Sequence, residues 1–262
     1  MNTKFRSLLS LLRDMESVLL AFSGGADSTL LLHAVKASGV QALCVTAYSE
    51  SVPLRELDSA GEIAATMGMP HLVVRTQELS NPDYAANPRD RCFFCKDELF
   101  LRLKEIASRE GLRYVIDGSN CDDLSDWRPG MRAAKAHGVK SPLIEAGLTK
   151  AEIRELSVEM ALPTAMKPSS PCLSSRFPYG VPITREGLAR VEKAEAYLRD
   201  LGFGEMRVRH DRDTARIEVQ EREIPLLMEK SLRDGVVTQF RKLGFRNVTV
   251  DLEGFRSGKL NE

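Results

Sequence analysis

The chain has few cysteines, few aromatic residues and no excess of charge, and each shortage excludes a class of protein. Five cysteines in 262 residues are too few for a disulfide scaffold, which predicts a cytoplasmic protein. A net charge of zero and a single tryptophan give no support to broad capture of nucleic acid by charge and stacking. No apolar run approaches the roughly 20 residues that span a bilayer. We therefore expect no action on nucleic acid or membranes.

What the chain does have is a glycine turn, residues 23–28, between a predicted buried strand at 17–22 and a helical pattern at 29–38. Gly24 and Gly25 let the backbone turn tightly and approach a ligand without a Cβ in the way. The free N–H groups at the start of a helix, aided by the helix dipole, bind anions. The turn is therefore predicted to hold phosphate groups.

The polar side chains of this turn complete the predicted nucleotide site. Ser23 and Ser28 supply hydroxyl donors, and Asp27 can hold a magnesium ion through oxygen. The sequence contains no G-x-x-x-x-G-K-[ST] pattern, so the turn is not a Walker A loop. It resembles instead the SGGxDS signature of the PP-loop ATP pyrophosphatases, which implies that the nucleotide is ATP.

Strand and helix patterns alternate through the first two-thirds of the chain, which predicts an α/β fold with a doubly wound parallel sheet. A capping box beginning at Thr149 opens one of the helices. The other predicted elements in this part are strands at 42–48, 72–74 and 114–116 and helices at 53–67 and 95–110. Ligands of such a sheet are expected at the carboxyl ends of its strands.

Prolines are dense between residues 163 and 182, so no regular element is predicted there. Beyond them the patterns predict helices at 184–201 and 224–243 and strands at 206–210, 216–219 and 247–252. We expect a PP-loop ATPase domain at 1–167, a catalytic loop at 168–182, and a smaller C-terminal α+β domain for substrate binding or oligomerisation at 183–262.

An acidic loop, residues 117–123, follows the predicted strand at 114–116. Gly118 permits a close backbone approach, Asp122 is a candidate magnesium ligand, and Asp123 is a candidate nucleotide contact. An ordinary Asp-Gly turn is the alternative. The position of the loop at the carboxyl end of a strand favours ligand binding.

Three cysteines are candidates for chemistry. Cys92 and Cys95 form a Cys-x-x-Cys, which fits half a zinc site, a redox dithiol, iron–sulfur ligands or two unlinked packed thiols. Cys172 lies in an irregular loop between Lys167 and Arg176, whose charges are expected to favour a reactive thiolate. An inert loop thiol is the alternative interpretation of Cys172.

Arginines recur in the last quarter of the chain. Arg207 and Arg209 alternate along a predicted strand and therefore face one side of it, and Arg256 lies near the C-terminus. Guanidinium groups match phosphate in a bidentate fashion, so a phosphate site is one interpretation and a solvated strand face is the other.

These segments together resemble the LarE family, ATP-dependent sulfur transferases that mature the nickel-pincer cofactor of lactate racemase. The resemblance covers nearly the whole chain, and its most specific part is Cys-Leu-Ser-Ser-Arg-Phe-Pro-Tyr-Gly at residues 172–180. The other matching segments are 23–28, 117–123, 127–130, 141–143, 168–171, 207–210 and 254–258.

The resemblance implies a reaction on a small molecule, pyridinium-3,5-dicarboxylate mononucleotide. One carboxylate of this substrate attacks the α-phosphate of ATP, pyrophosphate leaves with the help of magnesium, and sulfur then displaces AMP to give a thiocarboxylate. The resemblance further implies that Arg207, Arg209 and Arg256 bind the substrate phosphate, and that the protein forms a homo-oligomer.

The cysteine count sets this chain apart from one branch of the family. In sacrificial members the cysteine that matches Cys172 loses its own sulfur and becomes dehydroalanine, and no other cysteine is needed. Members with the three-cysteine pattern resemble holders of a [4Fe–4S] cluster with an open fourth iron. We expect Cys92, Cys95 and Cys172 to hold such a cluster, with the sacrificial route as the alternative.

Three rival functions share parts of these patterns. A tRNA-thiolating PP-loop enzyme shares adenylation and sulfur transfer but needs a basic groove with stacking aromatics. An amide-forming ligase of the NAD or GMP synthetase type shares the loop and needs no cysteine. A nucleotide-binding sensor would bind ATP without releasing pyrophosphate.

Overall fold

The computed structural model describes residues 2–124 and 128–256. The helices in these ranges are α1 (Thr3–Asp14), α2 (Ala26–Ser38), α3 (Leu54–Thr66), α4 (Pro82–Ala85), α5 (Arg91–Arg109), α6 (Pro129–His137), α7 (Pro142–Glu145), α8 (Lys150–Glu159), α9 (Arg185–Asp200), α10 (Ile224–Met228) and α11 (Lys230–Lys242). The strands are β1 (Ser17–Ala21), β2 (Gln41–Tyr48), β3 (His71–Arg75), β4 (Tyr114–Ile116), β5 (Arg207–Asp211), β6 (Thr214–Glu218) and β7 (Asn247–Val250).

The chain divides into two compact units. The first comprises Met1–Asn81 and Asp90–Ser170, and the second comprises Pro82–Arg89 and Pro171–Glu262. The end of the first unit lies close to the expected boundary at residue 167. The inclusion of residues 82–89 in the second unit was not anticipated, because no local pattern in that stretch indicates which unit it joins.

The first unit is built on a four-stranded parallel sheet in the order β3-β2-β1-β4. In the central strand β1, Val18 and Leu20 pack in one core with α1, α2, α3 and α8, while Leu19 packs in another with α5 and α6. Helices therefore cover both faces of the sheet, which confirms the predicted α/β fold. The strand order reverses direction between β1 and β4, and ligands of such sheets bind at that point.

The second unit contains a three-stranded sheet in the order β5-β6-β7, in which β5 and β6 are antiparallel and β6 and β7 are parallel. Its core joins one face of this sheet to α9 and α11, through Leu198, Val208, Ile217 and Phe240. This is the expected small α+β part. No helix among residues 2–124 and 128–256 has the length and apolarity to cross a membrane.

Three differences from the predicted elements are a displaced helix start, a divided helix and an added 3-10 turn. Helix α5 begins at Arg91, four residues early, so both Cys92 and Cys95 lie on its first turns; cysteine and phenylalanine are weak helix formers and hid this start. The single helix expected at 224–243 is two helices, because Glu229 between them has an extended backbone. The proline-rich segment contains one 3-10 turn, Leu173–Arg176, directly after Cys172.

Candidate active site

The glycine turn has the geometry that phosphate binding requires. Gly24 has a positive φ of 66°, and a Cβ there would lie 3.0 Å from both Cα and Cβ of Ala60 on α3, so only glycine fits. Gly25 is the N-cap of α2 and supplies no capping side chain, which leaves the first N–H groups of the helix available for an anion. The hydroxyl oxygens of Ser23 and Ser28 lie 3.0 Å apart beside these groups.

The acidic loop after β4 passes directly over the first turn of α2. A Cβ on Gly118 would lie 3.1 Å from the backbone nitrogen of Ser28 and 3.2 Å from its Cα. The glycine therefore lets the two predicted loops touch at the strand-order switch between β1 and β4. The structure brings together residues that are 90 positions apart in the sequence.

Lys150 joins the two candidate magnesium ligands. Its ammonium lies 2.5 and 2.7 Å from the two carboxylate oxygens of Asp27, and its backbone N–H donates to Asp122 at 2.7 Å. Lys150 is the first residue of α8, and the predicted capping box of Thr149 places it there. Sequence reasoning found the capping box but gave Lys150 no role.

The donor chemistry of Asp27 and Asp122 fits magnesium, which binds proteins through one or two carboxylates together with substrate phosphates. Among the described residues no group of three or more histidine, cysteine or acidic side chains is placed to enclose a metal ion. The two carboxylates would therefore hold magnesium only in company with ATP, and the ammonium of Lys150 would move from Asp27 as the metal arrives.

The carboxylate of Asp123 stabilises the acidic loop. One carboxylate oxygen accepts from the backbone N–H of Asn120 at 2.9 Å, and the other lies 2.8 Å from the guanidinium of Arg128. The carboxylate thus holds its own loop and the start of α6. Trp127, Ser257 and Gly258, which belong to segments of the family resemblance, lie outside the described residues.

Lys167 reaches the glycine turn. Its ammonium lies 3.0 Å from the carbonyl oxygen of Gly24 and 2.9 Å from the carboxylate of Glu56 on α3. Burial acts to raise the pKa of Glu56, but the hydrogen bonds of Lys167 and Ser170 and the charges of Lys167 and Arg55 outweigh it and hold that pKa below its ordinary value. Lys167 thus forms an ion pair with Glu56, and the expected effect of its charge on Cys172 stays a prediction.

The half-buried Cys172 precedes a 3-10 turn that one arginine holds in place. The side chain of Arg176 is fully buried and forms two hydrogen bonds with Glu195, at 2.8 and 2.9 Å. Its remaining nitrogen donates to the carbonyl oxygens of Pro171 and Cys172, at 2.9 and 3.1 Å. Arg176 therefore fixes the backbone at Cys172 and forms an ion pair with Glu195; the expected effect of its charge on the thiol stays a prediction.

The candidate phosphate-binding arginines differ in their surroundings. Arg209 is buried, forms two hydrogen bonds of 2.9 Å with Glu218, and donates to the carbonyl oxygen of Ser175 at 2.8 Å. Arg207 is less buried and lies over the ring of Phe255, 4.9 Å from its centroid.

Arg256 follows Phe255 directly, is exposed, and lies 3.2 Å from Glu253. A Cβ on Gly254 would lie 2.9 Å from the carbonyl oxygen of Val219, so this glycine allows the C-terminal segment to run alongside the end of β6. The segment thereby brings Arg256 into the neighbourhood of Arg207. Arg209, in contrast, has all three of its guanidinium nitrogens engaged within the second unit.

Cys92 and Cys95 lie three residues apart on α5 and therefore share one face of the helix. Cys92 is exposed and Cys95 is partly buried, and no disulfide links any of the five cysteines. The start of a helix favours anionic groups, thiolates among them. Two cysteine side chains on one helix face supply two of the sulfur donors that an iron–sulfur cluster needs. In the part of the chain that the structure describes, no three cysteine, histidine or acidic side chains are grouped to hold a metal, so the cluster stays a prediction.

Comparisons with known proteins cover the chain from end to end, although no protein-family model matches it. An uncharacterized protein of Synechocystis sp. is 45% identical over 262 residues, which are 100% of this chain and 98% of that protein. A second relative, from Methanocaldococcus jannaschii, is also uncharacterized and is 29% identical over 242 residues, 92% of each protein.

The relative with a named activity is the pyridinium-3,5-bisthiocarboxylic acid mononucleotide synthase of Lactiplantibacillus plantarum. It is 39% identical over 262 residues, which are 99% of this chain and 94% of the synthase. Identity at this level over both full lengths, together with the glycine turn, the acidic loop and the turn after Cys172, shows that the chain is an enzyme of the LarE family.

Proposed function

We propose that the protein is an ATP-dependent sulfur transferase. It adenylates a carboxylate of pyridinium-3,5-dicarboxylate mononucleotide and converts it to a thiocarboxylate. The observation that carries the proposal is the contact between the glycine turn and the acidic loop, in a chain related along its whole length to a synthase of the bisthiocarboxylic product. That contact supplies an anion site and two carboxylates at one edge of one sheet.

The adenylation step uses the first unit. A substrate carboxylate oxygen attacks the α-phosphorus of ATP, the bond to the bridging oxygen breaks, and pyrophosphate leaves with the electron pair. The N–H groups of the glycine turn and the hydroxyls of Ser23 and Ser28 bind the departing phosphates, where negative charge accumulates. Magnesium held by Asp27 and Asp122 would neutralise part of that charge, and Lys150 then faces the same phosphates.

The substrate phosphate is assigned to the second unit. Arg207 is partly buried and Arg256 is exposed, and Arg209 sits beside Arg207 on the same face of β5. Since Glu218 holds Arg209 on two sides, Arg209 would act mainly by fixing the strand and the turn of Ser175. Arg207 and Arg256 would then bind phosphate directly.

Sulfur transfer depends on Cys172 in either of two routes. In the cluster route, Cys92, Cys95 and Cys172 would hold a [4Fe–4S] cluster, whose open iron supplies a binding place for the transferred sulfide. In the sacrificial route, the Cys172 thiolate displaces AMP to form a thioester. Loss of the Cys172 α-proton and cleavage of its Cβ–Sγ bond then release the thiocarboxylate and leave dehydroalanine. We favour the cluster route, because the sacrificial route leaves Cys92 and Cys95 without a task.

The test is exchange of labelled pyrophosphate into ATP, which reports adenylation alone. We expect exchange with magnesium and the dicarboxylate mononucleotide, none without the mononucleotide, and none with bulk tRNA in its place. Asp27→Asn should abolish the exchange, while Asp58→Asn, an exposed position on α3, should leave it intact. Exchange with tRNA and not with the mononucleotide would overturn the proposal in favour of the tRNA-thiolating alternative.

A further inference from the structure

The side chain of Lys167 makes three contacts, and all of them lie at the glycine turn or the helix behind it. The ammonium is 3.0 Å from the carbonyl oxygen of Gly24, 2.9 Å from the carboxylate of Glu56 and 3.3 Å from the hydroxyl of Ser59. These contacts account for the three protons of the ammonium. The lysine and its partners all belong to the first unit.

The backbone around Lys167 is itself anchored. The guanidinium of Arg154 on α8 donates to the carbonyl oxygens of Ala165 and Lys167, at 2.7 and 3.1 Å, and the N–H of Lys167 donates to Thr164 at 3.0 Å. The lysine side chain is mostly buried, with 22% of its surface exposed. The ammonium therefore has a defined position, unlike that of a lysine on a free surface loop.

The contact with Gly24 determines the direction of a neighbouring N–H group. In a planar trans peptide the C=O of one residue and the N–H of the next point in opposite directions. A carbonyl of Gly24 held against Lys167 therefore aims the N–H of Gly25 the other way, toward the hydroxyl of Ser23 at 3.4 Å. That is the side of the turn where the anion site begins.

The peptide between Gly24 and Gly25 needs such a restraint. Neither residue has a Cβ, so this peptide plane can rotate with little steric cost. A rotated plane would turn a carbonyl oxygen toward the phosphates in place of an N–H donor. The two glycines that allow the tight turn therefore also allow a peptide orientation that would weaken phosphate binding.

We infer that Lys167 is a positioning residue that locks the Gly24–Gly25 peptide plane so that the N–H of Gly25 faces the pyrophosphate. The inference rests on the proposed function, since it concerns the phosphates of ATP. Glu56 also contributes, because its carboxylate neutralises the ammonium of Lys167. Lys167 therefore acts by orienting the peptide plane and adds little net charge to the site.

Binding of inorganic pyrophosphate to the full chain, measured by isothermal titration calorimetry, tests the lock without any catalytic step. Lys167→Met removes the donor and one of the two cations beside Glu56, the other being Arg55 at 3.4 Å, so both orientation and charge predict weaker binding. The double variant Lys167→Met with Glu56→Gln restores neutrality but not the donor. The lock predicts that the double variant still binds pyrophosphate about tenfold more weakly than wild type, the loss expected for one misdirected donor to an anion.

Recovery of wild-type affinity in the double variant would overturn the inference, because charge balance alone would then explain the single variant. Lys167→Arg, which keeps a donor and the charge, should retain most of the affinity. Lys104→Met, at an exposed position on α5, is the matched control and should bind as wild type does. The double variant contains no unpaired carboxylate, so it decides the question even where Lys167→Met does not fold.

Failure of this inference is distinguishable from failure of the proposed function. Wild-type protein that binds no pyrophosphate would contradict the ATP chemistry of the glycine turn and with it the lock. Wild-type binding that is equalled by the double variant would leave the ATP chemistry in place and remove only the role of Lys167.

Discussion

The two units differ in how open their functional ion pairs are. In the first unit the side chains of Lys150 and Asp27 are 38% and 26% exposed. In the second unit those of Arg176 and Glu195 are 0% and 4% exposed. A half-exposed pair can exchange a partner for a ligand, whereas a buried charge left without its partner is costly. The pair of Lys150 and Asp27 is thus suited to binding and releasing charged ligands, and the pair of Arg176 and Glu195 to holding the backbone of Cys172 in one geometry.

The largest expected effect comes from breaking the buried pair. Arg176→Met leaves the carboxylate of Glu195 buried without a cation and should lower the free energy of unfolding by about 3–5 kcal/mol. Urea unfolding followed by circular dichroism measures this. Combining Arg176→Met with Glu195→Leu should recover much of the loss, because no charge is then left unpaired. A loss under about 1 kcal/mol in the single variant would contradict the structural role of the pair.

A smaller effect is expected where the two loops of the first unit touch. Gly118→Ala places a Cβ 3.1 Å from the backbone nitrogen of Ser28, so the loops must separate, at a cost of about 1–3 kcal/mol in stability. The same separation of the loops should lower the affinity for ATP, which calorimetry measures.

The control for this change is Gly61→Ala on α3. A Cβ at Gly61 meets nothing within 4 Å, and alanine is favoured over glycine inside a helix by about 1 kcal/mol. This variant should be more stable than wild type and should bind ATP normally. Equal ATP affinity in both variants would show that the contact of Gly118 with Ser28 does not shape the site.

A buried histidine of the second unit, His210, predicts that the stability of the protein depends on pH. His210 stacks on Phe177, with ring centroids 4.7 Å apart, and neither ring nitrogen has a hydrogen-bond partner among the described residues. Burial, followed by the charge of Arg190, lowers the pKa of His210 below its ordinary value. The folded state therefore binds fewer protons than the unfolded state.

Neutral His210 therefore contributes to the free energy of unfolding, and this contribution is fully present above about pH 6.5, the ordinary pKa of histidine. The contribution is lost as the pH falls below that value, by up to about 1.4 kcal/mol per pH unit. His210→Phe should reduce the part of this pH dependence of the free energy of unfolding that arises in the second unit. Urea unfolding at pH 7.5 and pH 5.5 measures the difference. An unchanged slope would show that His210 is not the group that titrates.

The smallest effect on stability is expected at the half-exposed pair. Lys150→Met should change the free energy of unfolding by less than about 1 kcal/mol, yet it should slow pyrophosphate release about tenfold or more, because a cation beside the leaving group is lost. Lys4→Met is the matched control, since Lys4 pairs with Glu152 on the same helix and with similar exposure. Equal turnover in the two variants would contradict the assignment of Lys150.

Local signals in the sequence predicted the elements well. The strand expected at 114–116 has those limits, and the capping box at Thr149 is present with both of its hydrogen bonds. Each depends on residues within a few positions of one another. The strand order placed the glycine turn and the acidic loop at one edge of the sheet, as the alternation of strands and helices suggested.

The contacts that complete the site join distant parts of the chain, and local patterns do not report these. Lys150 and Asp27 are 123 positions apart, and Lys167 and Gly24 are 143 apart. Lys167 and Arg176 flank Cys172 in the sequence, which suggested that their charges act on the thiol. Each forms an ion pair with a carboxylate on a helix, Lys167 with Glu56 and Arg176 with Glu195, and no local pattern in the sequence indicates these partners.

Anaerobic turnover with ATP, magnesium and the dicarboxylate mononucleotide, followed by mass analysis of product and protein, tests the central claim most directly. Wild-type protein and a Cys121→Ser control should form the thiocarboxylate, and Cys172→Ser should form none. With sulfide supplied as the sulfur source, the cluster route predicts an unchanged protein mass over several turnovers, and a loss of hydrogen sulfide at Cys172 would replace it with the sacrificial route. Thiocarboxylate formed equally well by Cys172→Ser, or none formed by wild type, would contradict the claim that sulfur transfer depends on Cys172.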